Sequence, residues 1–205
     1  MSRVNILICG VGGQGQLTLA KLLGEAAVKC DKEVMIAETR GLSHRGGSVV
    51  VYVRIGNRVY APLFDKADII LALELIEAVR NIKMFSHETL AIVNNEVIKP
   101  NIPNVNIPSK DKLIDALRKT TKNLFIVNAS EEAKRAGSPK SVNMVILGFL
   151  VGLNILEEVG VSEGCLYNAF RESKYFKINA NVKAFNRGLY LAKPLRKTTS
   201  HLWRY

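Results

Sequence analysis

Cysteine is scarce in this chain: Cys9, Cys30 and Cys165 are the only three in 205 residues, they lie far apart, and no CxxC or Cys/His grouping exists. Neither a structural zinc site nor an iron–sulfur cluster is encoded by such spacing. Cys9 falls in an apolar run and reads as a small core hydrophobe, and no redox role is expected of any of the three. Aromatic residues make up only 7% of the chain, and its basic residues are scattered. With no helix-turn-helix, RRM or zinc-finger pattern, the formal charge of +11 does not read as nucleic-acid binding. An acidic partner protein or a polyanionic small molecule suits it better.

Long hydrophobic runs are missing too. The longest, Met144 to Leu153, is interrupted by Gly148 and flanked by Asn143 and Asn154. A membrane span needs about 20 apolar residues, so a buried helix is expected and a membrane partner is not. Met1-Ser2-Arg3 leads straight into Val4–Cys9, too short and without the cleavage site of a secretory signal, so the expected location is cytoplasmic. With 48% hydrophobic and 23% charged residues and no repeat, the composition is that of a folded globular chain. One domain over residues 1–192 is expected, followed by a basic tail, 193–205, suited to a partner subunit.

What is present is an alternation of strands and helices. Val4 to Cys9 is short and almost wholly apolar, as in a strand buried on both faces. Gly10 to Gly13 forms a turn, Gln14 to Lys29 has helical spacing, and Glu33 to Glu38 reads as a second strand. Gly47 to Ile55 is β-branched, and Gly56-Asn57 fits a hairpin turn into Arg58–Ala61. Strands follow at Asp68–Leu73, Thr89–Asn94 and Leu124–Val127, and helices at Glu74–Phe85, Ser109–Lys119, Glu131–Ala136, 141–159 and Asn181–Ala192. Prolines 100, 103 and 108 mark an irregular connection. The expected class is α/β: a Rossmann-like, mostly parallel sheet with helices on both faces, an inserted β-hairpin and a helical C-terminal part. The helix over 141–159 is apolar nearly all round. Gly148 and Gly152 would let it approach either another helix of the same domain or a second subunit, and self-association is the expectation attached to the latter.

Gly10, Gly12 and Gly15 form a GxGxxG pattern between a strand and a helix. Such a loop brings bare backbone to a ligand, and the helix start aims unpaired N–H groups and a positive dipole end at it. A phosphate or pyrophosphate is the natural guest, and the amides of Gln14 and Gln16 are candidate additional donors. Glu38 stands where a nicotinamide-binding fold places the acid for the ribose hydroxyls, and Arg40 is a candidate for an extra phosphate, so an NAD(P)-binding protein stays open at this level. A glycine turn needed only for packing is the bland alternative.

The second constellation, Glu38 to Ser48, leaves the end of the second strand, where open α/β sheets bind ligands. Arg45 beside Gly46-Gly47 offers a charged fork next to exposed backbone N–H groups, suited to phosphate or carboxylate. His44 reads as a hydrogen-bonding loop residue before a proton carrier, and Ser48 lacks an evident relay that would make it a nucleophile. No catalytic residue and no metal ligand is assigned.

Three stretches together, Val4–Gly15 with its GVGGQG, Arg45–Val50 with RGGSVV, and Asp68–Glu74, resemble the gamma subunit or domain of the 2-oxoacid:ferredoxin oxidoreductases. The likeness is greatest to the small (beta) subunits of the indolepyruvate type, and Asn143-Met144 also fits. The resemblance implies oxidative decarboxylation of an indolepyruvate- or pyruvate-type 2-oxoacid to an acyl-coenzyme A, with ferredoxin taking the electrons indirectly. Thiamine diphosphate and iron–sulfur clusters would sit on a large partner subunit, and this chain would be inactive alone. Coenzyme A, as a substrate and not a tightly held cofactor, would meet Gly10, Gly12, Gly13, Gln14, Gly15, Gln16, Arg45, Gly46, Gly47 and Ser48. A structural subunit with an empty glycine loop is the remaining alternative.

Overall fold

The computed structural model describes residues 3–41, 47–99 and 106–196. Six strands, β1 (Arg3–Val11), β2 (Glu33–Arg40), β3 (Ser48–Gly56), β4 (Ile69–Ala72), β5 (Leu90–Asn94) and β6 (Asn123–Val127), form one sheet in the order β2-β3-β1-β4-β5-β6. Pairing is parallel for β1/β4, β4/β5 and β5/β6, and antiparallel for β1/β3 and β2/β3. The mostly parallel α/β class is therefore correct, with β3 as the one reversed strand.

β1 is buried on both faces, as its apolar run requires. Ile6 and Ile8 point into the larger core with α1 (Gln16–Lys29), α4 (Ala129–Arg135), α5 (Val142–Leu153), α6 (Glu163–Glu172) and α7 (Asn179–Ala192). Leu7 and Cys9 point into the smaller core under α2 (Leu75–Arg80) and α3 (Lys110–Arg118). Ser109 and Ser162 accept from backbone N–H groups three residues on, as N-cap serines do.

The inserted hairpin is placed differently from its sequence signal. β3 does not turn at Gly56-Asn57 into a strand at Arg58–Ala61, which has no strand conformation. It returns antiparallel between β2 and β1, so the hairpin is β2–β3 and the connection between Gly41 and Ser48 is its tip. Val49, Val51, Val53 and Ile55 find β1 on one side and β2 on the other, an opportunity that local turn chemistry does not encode.

The long helix is shorter than expected: α5 ends at Leu153, where Asn154 takes a left-handed conformation (φ 56°), and a 3-10 turn covers Ile155–Val159. Every residue of α5 is buried. A Cβ on Gly148 would collide with the Phe185 carbonyl of α7, and one on Gly188 with the Val145 carbonyl of α5. The glycines serve contact within the domain, so the reading of this helix as an interface with a second subunit is withdrawn. Lys193–Leu195 continue α7 as a 3-10 turn, with Leu195 against the core and Arg196 paired with Glu163 at 3.4 Å. The remaining tail residues, 197–205, lie outside the described residues.

Two of the distant cysteines meet: Cys30 at the end of α1 and Cys165 in the first turn of α6 form a disulfide across 135 residues of chain, their Cα atoms 6.1 Å apart. Sequence separation carried no sign of this. Among the described residues no His, Cys, Asp or Glu cluster could hold a metal, and no helix is long and apolar enough to cross a membrane.

Candidate functional site

The chain leaves β1 at Val11 and turns through the glycines into α1. Gly13 (φ 98°) and Gly15 (φ 89°) both lie in the left-handed region that a side chain disfavours. The loop is held from within. Val11 N–H donates to Gln14 Oε1 at 2.7 Å, Gln14 Nε2 donates to the Leu73 carbonyl at 3.1 Å, and Gln16 Nε2 donates to the Val11 carbonyl at 2.9 Å. Gln16 is only 3% exposed. The two glutamine amides, expected as donors to a ligand, are thus committed to bracing the loop.

The four loop glycines divide into two kinds. A Cβ on Gly10 would lie 2.6 Å from Gln16 Nε2 and 2.7 Å from Gln14 Oε1, and one on Gly15 would strike the Asn143 amide. These two are closed by the protein itself. Among the described residues, a Cβ on Gly12 would meet the Gly47 oxygen at 3.5 Å and Val49 at 3.7 Å, both ordinary contacts, and one on Gly13 nothing within 4 Å. Gly13 therefore presents, among the described residues, bare backbone to open space beside the start of α1, the positive end of a 14-residue helix, while Gly12 sits in ordinary contact with Gly47 and Val49.

The second segment comes to the same place. Gly12 N–H donates to the Gly47 carbonyl at 2.9 Å, and Ser48 stands opposite Val11 in the β1/β3 ladder. Gly12 is brought against Gly47 and Ser48 because β3 lies against β1, not because β1 and β2 are neighbours. Leu42, Ser43, His44, Arg45 and Gly46 lie outside the described residues. The Ser48 hydroxyl donates to the carboxylate of Glu77. Glu38 and Arg40 do not join the loop. They pair with each other at 2.6 Å on β2, and β3 separates them from β1 by two strand spacings, roughly 9–10 Å. The acid that a nicotinamide ribose would need is out of position.

Several polar residues around the site had no role assigned from the sequence, although Asn143 and Glu74 lie in stretches that carry the resemblance. Asn94, fully buried at the end of β5, donates to the Leu73 carbonyl at 3.0 Å, the same oxygen that Gln14 uses. Asn143, 7% exposed at the start of α5, donates to the Gly15 carbonyl at 3.5 Å and accepts from Met144 N–H at 2.9 Å. Glu74 is fully buried and caps α2, accepting from Ile76 N–H at 3.0 Å and from Glu77 N–H. Burial pushes the Glu74 carboxyl above its ordinary range against these hydrogen bonds. Burial, reinforced by Glu77 and Glu74, pushes the Cys9 thiol well up, so Cys9 is no nucleophile. The available signal was an acid directly after an apolar strand, with a second acid three residues on.

A family model described as pyruvate ferredoxin/flavodoxin oxidoreductase matches residues 5–191, nearly the whole chain. The chain belongs to this family. The indolepyruvate oxidoreductase subunit IorB of Archaeoglobus fulgidus is 41% identical over 192 residues, covering 91% of this chain and 94% of the relative. The pyruvate/ketoisovalerate oxidoreductases common subunit gamma of Pyrococcus furiosus is 28% identical, covering 82% and 86%. Among solved structures, the keto/oxoacid ferredoxin oxidoreductase gamma subunit of Geobacter sulfurreducens matches with a TM-score of 0.65 at 22% identity, covering 92% of this chain and 98% of that one. The 2-oxoglutarate:ferredoxin oxidoreductase of Magnetococcus marinus, solved with 2-oxoglutarate, coenzyme A and succinyl-CoA bound, matches with a TM-score of 0.70 at 22% identity. The match covers 95% of this chain but 32% of that longer one. Among these solved structures the fold stands both as a separate small chain and as part of a longer one.

Proposed function

We propose that this chain is the small subunit of an indolepyruvate- or pyruvate-type 2-oxoacid:ferredoxin oxidoreductase and that it presents coenzyme A to a reaction centre on a larger subunit. The observation that carries the coenzyme A reading is the division among the loop glycines. Gly10 and Gly15 are bare because the protein fills their space, whereas a Cβ would make only ordinary contacts at Gly12 and, among the described residues, would meet nothing at Gly13. Backbone N–H groups at a helix start suit the phosphates of a nucleotide, and Arg45 adds a permanent charge to the adjoining segment. A relative of the same fold was solved with coenzyme A bound, which supports the choice of nucleotide. The displaced Glu38 speaks against NAD(P).

The electron carriers belong on the partner. A cluster of four thiolates exceeds what three cysteines supply, and here two are joined to each other while the third is buried. Thiamine diphosphate and the iron–sulfur clusters are therefore assigned to the large subunit, ferredoxin docks there, and the complex works in the cytoplasm. This chain alone is colourless and inactive.

The test is made in the assembled enzyme, with Gly12→Val and Arg45→Ala in this chain. Gly12→Val puts a branched side chain where the backbone must be approached, and Arg45→Ala removes a charged hydrogen bond. Each is expected to raise the KM for coenzyme A by at least about tenfold, the equivalent of ~1.5 kcal/mol, with less effect on 2-oxoacid decarboxylation. Normal coenzyme A kinetics in both folded, assembled variants would sink the reading in favour of an empty loop.

A further inference from the structure

We infer that Glu77 is a positioning residue for the glycine loop, acting through Ser48 and Gly47. Its carboxylate lies beneath the carboxyl edge of the sheet with a side chain only 2% exposed. A carboxylate in such a place costs free energy unless it is paired, so its partners show its purpose. α2 does not need it as a cap, because Glu74 fills that position. On one side Glu77 accepts from Arg80 at 2.7 Å, a guanidinium that is 49% exposed and remains solvated. On the other side it accepts the Ser48 hydroxyl.

Ser48 is the junction of three elements. Its own carbonyl accepts from Gly41 N–H at 2.9 Å, the carbonyl of the preceding Gly47 accepts from Gly12 N–H at 2.9 Å, and in register it faces Val11. Both ends of the arginine-bearing connection, Gly41 and Gly47, are therefore fastened at Ser48, and Gly12 is fastened to Gly47. The β1/β3 ladder already pairs Arg3 through Val11 with Gly56 through Ser48, so the sheet does not depend on one further side-chain bond at its end. What the Glu77–Ser48 bond adds is a fixed depth for that end, and with it the direction in which Gly12 presents its backbone. Ser48 accordingly serves as a brace and not as a donor to the ligand. The effect on coenzyme A rests on the function proposed above; the effect on the loop does not.

The experiment separates the two. Amide hydrogen exchange at Gly12 is measured in the subunit carrying Ser48→Ala, Ser48→Thr or Glu77→Gln, and the KM for coenzyme A is measured in the assembled enzyme. Ser48→Ala should speed exchange at Gly12 by about tenfold and raise the KM about fivefold, more than kcat falls. Ser48→Thr keeps the hydroxyl and should restore both. Glu77→Gln keeps an acceptor oxygen and should fall between. Unchanged exchange at Gly12 in Ser48→Ala, or failure of Ser48→Thr to restore it, overturns the inference. Faster exchange with an unchanged KM upholds the brace and counts against coenzyme A as the guest. If Ser48→Ala does not fold, Glu77→Gln decides: exchange at Gly12 equal to that of the unaltered chain overturns the inference.

Discussion

Glycine is used in opposite ways at the two ends of this molecule. In the helical layer, Gly148 and Gly152 of α5 and Gly188 of α7 have partner backbone where a side chain would begin: a Cβ on Gly152 would lie 2.7 Å from Ala192 Cβ and 2.8 Å from the Leu189 carbonyl. At the carboxyl edge of the sheet, a Cβ would make only ordinary contacts at Gly12 and, among the described residues, would meet nothing at Gly13, while Gln14 and Gln16 bond the loop backbone and Ser48 bonds Glu77. The first set packs the protein against itself; the second leaves backbone uncovered by side chain. A glycine's role thus follows from what occupies the missing Cβ position, not from the motif in which it stands.

The contrast is broken most forcefully in the helical layer. Gly148→Leu drives a branched side chain into the α7 backbone, which cannot yield as a side-chain end could, and the expected loss exceeds about 4 kcal/mol. Thermal melting should show an unfolded or insoluble product. Gly12→Ala, by comparison, should change stability by no more than about 0.5 kcal/mol. Equal melting temperatures for the two variants would erase the distinction.

The disulfide lies within the helical layer, at the end of α1 away from the glycine loop: Cys30 follows α1 and Cys165 stands in the first turn of α6. Reducing it, or replacing Cys165 with Ser, releases a long loop in the unfolded chain and should cost about 2–4 kcal/mol. Melting with and without a dithiol reductant measures this. A reductant-independent melt equal to that of Cys165→Ser would show that the bond does not constrain the chain.

The smallest effect lies in pH. Burial raises the Glu74 carboxyl above its unfolded value, so the folded state holds the proton more tightly. Stability from this group is therefore complete below the ordinary glutamate range and declines as pH rises through the raised folded value. Glu74→Gln should flatten that decline relative to the unaltered chain, read as the difference in melting temperature between acidic and neutral buffer. A steeper decline in the variant would reverse the assignment.

Local pattern alone determined a good deal. The apolar run at Val4–Cys9 reads as a strand covered on both faces, and the glycines after it read as a turn into a helix, both as found. These follow from backbone conformation and from the period of hydrophobicity, which neighbours in sequence express. The combination of GVGGQG with RGGSVV likewise points to the family from sequence. Pairing between distant segments was not legible. β3 could have folded back on Arg58–Ala61, yet it took the place between β1 and β2, and so moved Glu38 away from the loop and Ser48 onto Glu77. Cys30 and Cys165 became partners and Gly148 faced α7 for the same reason. Strand order, disulfide pairing and helix contact are chosen by the total burial of the whole chain, a quantity to which every segment contributes and which no single stretch of sequence displays.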